Sequence, residues 1–170
     1  ATGLSIAIVD DQRVLWSKGF GWADAGKKLP ATEQTVYRMG SISKLFTTVA
    51  ALQLAQEGKL ALDAPIQTVL PGFRVTPPPG QPAITPRALM SHHAGLTRDV
   101  GQGMWGREVG PFRDMVMALQ PDDQSYPAGL LFSYSNVGMT VLGAAVEQVA
   151  QEPFDRHLQR RVLTPLGMGT

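Results

Sequence analysis

The 170-residue chain contains no cysteine. That excludes disulfides, thiolate nucleophiles and cysteine-ligated zinc or iron–sulfur centres, while leaving the compartment open. No apolar run approaches the ~20 residues of a bilayer-crossing helix. The opening Ala1-Thr2-Gly3 carries neither the charged n-region nor the apolar h-region of a secretory leader. Charge excess is also lacking: 15 Lys and Arg against 14 Asp and Glu leave a formal +1. With no basic run there is no electrostatic case for nucleic acid or an acidic membrane surface as partner. There is no His-Glu-x-x-His, and the adjacent His92 and His93 point different ways on a helix with no third ligand near in sequence, which argues against metal. Internal repeats are absent, and a proline cluster is the sole compositional bias.

What is present is the composition of a globular chain, 44% hydrophobic and 17% charged, long enough to bury a sizeable core. Leu4, Ile6 and Ile8 alternate with smaller residues as in a strand. Asp10-Asp11-Gln12 supplies a turn, and Arg13 to Trp22 returns, so a hairpin is expected. Gly3-Leu4-Ser5-Ile6-Ala7 superficially resembles a nucleophile elbow, but Ser5 lies early in a strand rather than on a strand-to-helix turn. Asp24 to Lys28 reads as a polar turn and Leu29 to Arg38 as extended or irregular. A helix from about Ser41 to Gly58 has so few charges that burial on several sides is expected. Six prolines between Asp63 and Pro82 forbid a regular element of any length, and that stretch is expected to be a surface excursion.

Thr85-Pro86 is an N-cap followed by an N1 proline, opening a short helix that Gly95 ends. Thr97 to Gly110, with Gly101, Gly103, Gly106, Gly110 and Trp105, reads as a cleft-lining loop. Pro111 begins another short helix. Pro127 and Gly129 keep Ser125 to Ser135 out of a helix, and Asn136 is expected to cap a helix reaching Ala150. Pro153 opens a last helix ending near Leu163.

Two stretches carry chemistry. In Gly40-Ser41-Ile42-Ser43-Lys44 the lysine lies one turn beyond the serine on the same helix face, so its amine can reach the hydroxyl. A serine hydroxyl is a weak nucleophile at neutral pH and needs a base; a lysine depressed by burial can serve. The ordinary alternative is an N-cap serine beside a solvated lysine, a common pattern. A phosphate loop at Met39 to Lys44 fails on spacing, because Ser43 and Arg38 stand where glycines are needed. The second stretch, Tyr134-Ser135-Asn136, lies at a loop-to-helix junction. A tyrosine there can relay a proton and an asparagine can bind an amide or fix a lysine, although a packing tyrosine and a capping asparagine are the commoner roles.

Taken together, the stretches resemble the class C β-lactamase-like serine hydrolases: AmpC-type β-lactamases, D-alanyl-D-alanine carboxypeptidases, D-aminopeptidases and related carboxylesterases. Tyr37-Arg38-Met39-Gly40-Ser41-Ile42-Ser43-Lys44 is similar to that family's Ser-x-x-Lys block. Leu89-Met90-Ser91-His92-His93-Ala94-Gly95-Leu96 is similar to its His-x-x-Gly-Leu segment. Pro127-Ala128-Gly129 with Phe132-Ser133-Tyr134-Ser135-Asn136 resembles its Pro-x-Gly and Tyr-x-Asn blocks, and Pro165-Leu166-Gly167-Met168 the close of its helical region. The resemblance implies an α+β, β-lactamase/transpeptidase-like fold: residues 1–40 as hairpin and lead-in of the sheet region, residues 41–170 as the helical region.

By position it implies Ser41 as the acylated nucleophile, Lys44 as base and Tyr134 as partner in proton transfer. Asn136 would orient substrate or position the lysine, the Ser41 N–H would be one oxyanion donor, and His92 would make a structural hydrogen bond. No cofactor or metal is implied. The expected substrate is an ester, D-amino-acid peptide or β-lactam, with the first two preferred; the compartment is left open, an extracytoplasmic one being slightly favoured. A catalytically inactive scaffold or ligand-binding relative that keeps the fold is the competing expectation.

The family's Lys/His-x-Gly block is not found in the chain, and only the hairpin stands for the sheet. These residues are therefore expected to be part of a longer or split protein, with the remaining portion supplying the second oxyanion donor. A hairpin alone is marginal in water and would leave edges and an apolar face uncovered. The 170-residue chain by itself is accordingly predicted to show little or no turnover; hydrolysis of a p-nitrophenyl ester at rates typical of full-length relatives would contradict this.

Overall fold

The computed structural model describes residues 2–100 and 112–168, apart from the side chain of Phe112. The expected loop from Thr97 to Gly110 therefore lies mostly outside the described residues, as does Pro111. The chain divides into two compact units, Ala1–Gly40 and Ser41–Thr170.

The first unit is an antiparallel sheet of order β1-β2-β3. Strands β1 (Gly3–Asp10) and β2 (Arg13–Asp24) form the hairpin, joined through Asp11 and Gln12 at φ 42° and 62°. Two successive left-handed residues match the right-handed twist of the flanking strands. A short β3, Leu29–Pro30, pairs with β2, so the sheet holds one strand more than the expected hairpin.

The register Leu4↔Phe20, Ile6↔Lys18, Ile8↔Trp16 gathers the large side chains on one face, where Leu4, Ile6, Ile8, Trp16 and Phe20 are all exposed. The other face is made of small residues: Gly3, Ser5 and Ala7 opposite Gly21, Gly19 and Ser17. The segment after β3 lies on it. Ser5 Oγ donates to the Thr32 carbonyl at 2.6 Å and meets Tyr37 Oη at 3.0 Å. At Gly19 a Cβ would stand 2.2 Å from the Ala31 carbonyl oxygen, so that close approach requires glycine. Ser5 is thus a sheet residue tied to its own unit.

The second unit is helical and is centred on α4, Asn136–Ala150. Helices α1 (Ser43–Gln56), α2 (Pro86–Met90), α3 (Phe112–Ala118) and α5 (Phe154–Leu158) all pack on it. Val137, Val141, Leu142, Ala145 and Val146 recur at helical spacing and are buried. The expected all-round burial belongs to α4 and not to α1. On α1 only Ala50, Ala51 and Leu54 are buried, whereas Leu45, Val49 and Leu52 are exposed. The apolar residues of α1 spread around its circumference, but its neighbours in this unit cover one side.

The stretch from Asp63 to Pro82 is not a surface excursion. It holds one short turn of 3-10 helix, Ile66–Thr68, yet Ile66, Leu70, Phe73 and Val75 are at most 3% exposed and belong to the main core. Prolines forbid regular elements, not burial. The backbone polar groups find partners singly: Ile66 N–H donates to the Ile84 carbonyl at 2.8 Å and Gln67 Nε2 to that of Val75 at 3.1 Å.

Phe73 tests this reading. If the stretch carries core packing, Phe73→Ala lowers unfolding free energy by about 3–5 kcal/mol; a surface position would change it by less than about 0.5 kcal/mol. Urea denaturation distinguishes the two.

Candidate active site

Ser41 occupies a 3-10 turn, Gly40–Ile42, that leads into α1 at Ser43. Gly40 enters it at φ 55°, a conformation that favours glycine. Ser41 does not cap the helix: the residue at the cap is Ile42, with no side-chain hydrogen bond. Its hydroxyl is instead exposed and engaged by two other side chains. Lys44 Nζ donates to Ser41 Oγ at 3.4 Å. Tyr134 Oη donates to the same oxygen at 2.7 Å from 93 residues away in sequence.

Tyr134 is brought there by the turn that follows α2. Thr85 Oγ1 caps that helix by accepting from the Ala88 N–H at 3.1 Å, and the chain then passes through His92 at φ 59°. Gly95, at φ 71°, would place a Cβ 1.9 Å from the Tyr126 carbonyl oxygen, so the turn requires glycine for both backbone angle and space. Three backbone bonds fasten the later loop to this turn: Ser125 N–H to the Gly95 carbonyl at 2.8 Å, Gly129 N–H to His93 at 2.7 Å and Ser133 N–H to His92 at 2.7 Å.

The His92 ring completes the attachment. Its Nδ1 accepts from the Ser135 N–H at 3.2 Å, which puts the proton of the neutral ring on Nε2. The ring lies 4.6 Å from that of Tyr134. Burial first, then the charges of Lys44 and His93, hold His92 below the usual imidazole range, so it stays an acceptor. His93 turns elsewhere, its Nδ1 on the Ser91 carbonyl at 2.8 Å. Among the described residues no group of His, Cys, Asp or Glu is arranged to hold a metal ion.

Asn136 does not cap α4, as the sequence suggested. Ser135 does, accepting from the Gly138 N–H at 2.8 Å and donating to the Thr97 carbonyl at 2.7 Å. Both residue types are good caps, and sequence cannot choose between neighbours. Asn136 is the first helical residue. Its N–H donates to the Arg98 carbonyl at 2.9 Å and its Nδ2 to Asp99 Oδ1 at 2.7 Å. Sequence reasoning missed Arg98 and Asp99, which sit in what reads as plain loop; no local spacing links them to residues 134–136.

The electrostatics centre on Tyr134. Lys44 Nζ lies 4.8 Å from the ring centroid and the Arg98 guanidinium 5.6 Å. Hydrogen bonding from Lys44 is the largest cause of a phenol pKa below its ordinary 10.0, followed by Ser41, with the Lys44 and Arg98 charges adding and burial opposing. Lys44 itself is only half-buried, and it stands as a cation beside the phenol.

The beta-lactamase family model matches residues 1–170. Among curated proteins, protein flp of Staphylococcus aureus strain N315 is 30% identical over 167 residues, covering 98% of this chain and 34% of flp. Among solved structures, the octameric penicillin-binding protein homologue from Pyrococcus abyssi superimposes with a TM-score of 0.85 at 31% identity, over 98% of this chain and 39% of that one. EstCE1, described as a hydrolase with promiscuous acyltransferase activity, superimposes at 0.83 and 31%, over 98% and 47%. The fold is therefore the β-lactamase/transpeptidase-like one, shared with serine hydrolases. The chain belongs to the beta-lactamase family, and it spans about a third of the length of the curated relative it matches.

A difference titration at 295 nm between the protein and its Tyr134→Phe variant is expected to show one phenol ionising below 10.0. Lys44→Met is expected to move that ionisation back up. The sign for folding follows: stability from the lowered pKa is complete only above 10.0, and is lost as pH falls through the folded value.

Proposed function

We propose that the protein is an acyl-transfer hydrolase in which Ser41 is the nucleophile. The observation that carries this reading is the convergence of Tyr134 Oη and Lys44 Nζ on Ser41 Oγ, at 2.7 and 3.4 Å. A hydroxyl so placed has two proton acceptors within reach once either is in its basic form. With Tyr134 as phenolate, the 2.7 Å bond to Ser41 reverses and Oγ becomes the donor.

Ser41 Oγ attacks the substrate carbonyl carbon, and its proton passes to Tyr134 while the Lys44 ammonium steadies the phenolate. The tetrahedral intermediate collapses, the carbon–leaving-group bond breaks, and Tyr134 returns the proton to the departing oxygen or nitrogen. Water then adds to the Ser41 ester, gives a proton to the same base, and releases the acid with Ser41 restored. The Ser41 N–H supplies one oxyanion donor.

The substrate is an ester or D-amino-acid peptide in preference to a β-lactam. The acyltransferase activity in the description of EstCE1 supports a Ser41 ester that alcohols or amines could intercept as well as water. Residues 41–170 act as the helical region of the fold and residues 1–40 as part of its sheet region.

Intact-mass analysis after a fluorophosphonate is expected to show one adduct, mapped to the peptide bearing Ser41 and abolished in Ser41→Ala. Tyr134→Phe should slow its formation by about 10²–10⁴-fold. Parallel assays with nitrocefin, a short-chain ester and a D-alanyl peptide sort the substrate classes. Ligand binding untouched by Ser41→Ala, with no adduct, would favour the inactive scaffold.

A further inference from the structure

Asn136 is pinned from one side by a segment with no role in the reading above. Thr97 to Asp99 is laid across the N-terminus of α4 by the Ser135 Oγ bond to the Thr97 carbonyl at 2.7 Å, the Asn136 N–H bond to the Arg98 carbonyl at 2.9 Å and the Asn136 Nδ2 bond to Asp99 Oδ1 at 2.7 Å. Asp99 in turn has its other oxygen 3.5 Å from Arg98 Nε, and the same guanidinium lies over the Tyr134 ring.

We infer that Asp99 is a positioning residue that sets which end of the Asn136 amide faces the reacting groups. An amide can present either an acceptor oxygen or a donor NH₂ by rotating half a turn about its last bond, and the two cost nearly the same in water. A carboxylate is acceptor-only. Asp99 can therefore bond Asn136 only through Nδ2, and that commits Oδ1 to the opposite side.

The groups of the proposed chemistry that Asn136 would serve, the Lys44 ammonium and the N–H of an amide substrate, are donors and require an oxygen. The inverted amide would set donor against donor on the reacting side and acceptor against acceptor at Asp99. The Arg98 guanidinium lies beside that carboxylate, Nε 3.5 Å from Oδ2, and its charge also adds to the depression of the Tyr134 pKa. One loop dipeptide thus bears on two side chains, Tyr134 and Asn136.

The inference deepens the Ser41 acyl-transfer reading and rests on it for its catalytic consequence, but the amide orientation has its own readout. In ¹⁵N-edited NMR spectra the Asn136 side-chain NH₂ pair, assigned by its loss in Asn136→Ala, is expected to be shifted by the charged acceptor. Asp99→Ala should move the pair away from its native position, and Asp99→Asn should leave it between the two. The rate of Ser41 acylation, per folded molecule, should fall about tenfold to a hundredfold in Asp99→Ala and recover partly in Asp99→Asn, which can still offer an oxygen to Nδ2. A purely structural role would lower the melting temperature and leave the rate per folded molecule unchanged.

An Asn136 NH₂ pair indifferent to Asp99→Ala, or a changed pair with unchanged acylation, overturns the inference. Absence of any Ser41 adduct in the unsubstituted protein overturns the acyl-transfer reading instead, while the NMR comparison still decides whether Asp99 orients the amide.

Discussion

A single buried hydroxyl holds together the segments that carry Tyr134 and Asn136. Ser135 is 3% exposed; its oxygen accepts from Gly138 and donates to Thr97, and its N–H goes to His92. The hydroxyl and the N–H, which the surrounding apolar packing would otherwise strand, each have a partner. Because Ser135 cannot rotate or slide without breaking one of these bonds, its neighbours cannot either. Tyr134 is directed to Ser41 on one side, and Asn136 begins α4 on the other. Of Tyr134, Ser135 and Asn136, the middle residue is the anchor.

The sheet unit follows a different logic. Small residues on one face let the segment from Ala31 to Tyr37 approach closely, and Ser5 is spent on that contact. The opposite face gathers Leu4, Ile6, Ile8, Trp16 and Phe20 in the open. A contiguous apolar face of this kind is uncommon on a free-standing domain, in keeping with a chain that spans under half of each matched structure described above.

What could be read from residues alone was whatever is local. The hairpin turn, the Thr85-Pro86 cap and the three-residue spacing of Ser41 and Lys44 depend on neighbours in sequence, and all are present. Tyr134 came in through likeness to a family, because no spacing rule relates residues 93 positions apart. The stretch from Asp63 to Pro82 was misjudged for an instructive reason: proline content reports on hydrogen-bond periodicity, whereas burial depends on where Ile66, Leu70, Phe73 and Val75 fall against α4 and its neighbours. Arg98 and Asp99 were silent in sequence, since a loop's partners are set by tertiary closure rather than by pattern.

The span between Ser41 and Tyr134 also says when the site comes into being. Lys44 is beside Ser41 as soon as one helical turn forms, but the phenol arrives only after the turn at His92 to Gly95 has captured the later loop, a closure of high sequence separation that is entropically late. An unfolded or half-folded copy therefore carries an ordinary, unreactive alcohol. On the acyl-transfer reading proposed above, covalent labelling of that alcohol would count finished molecules, giving a census of maturation as much as a measure of chemistry.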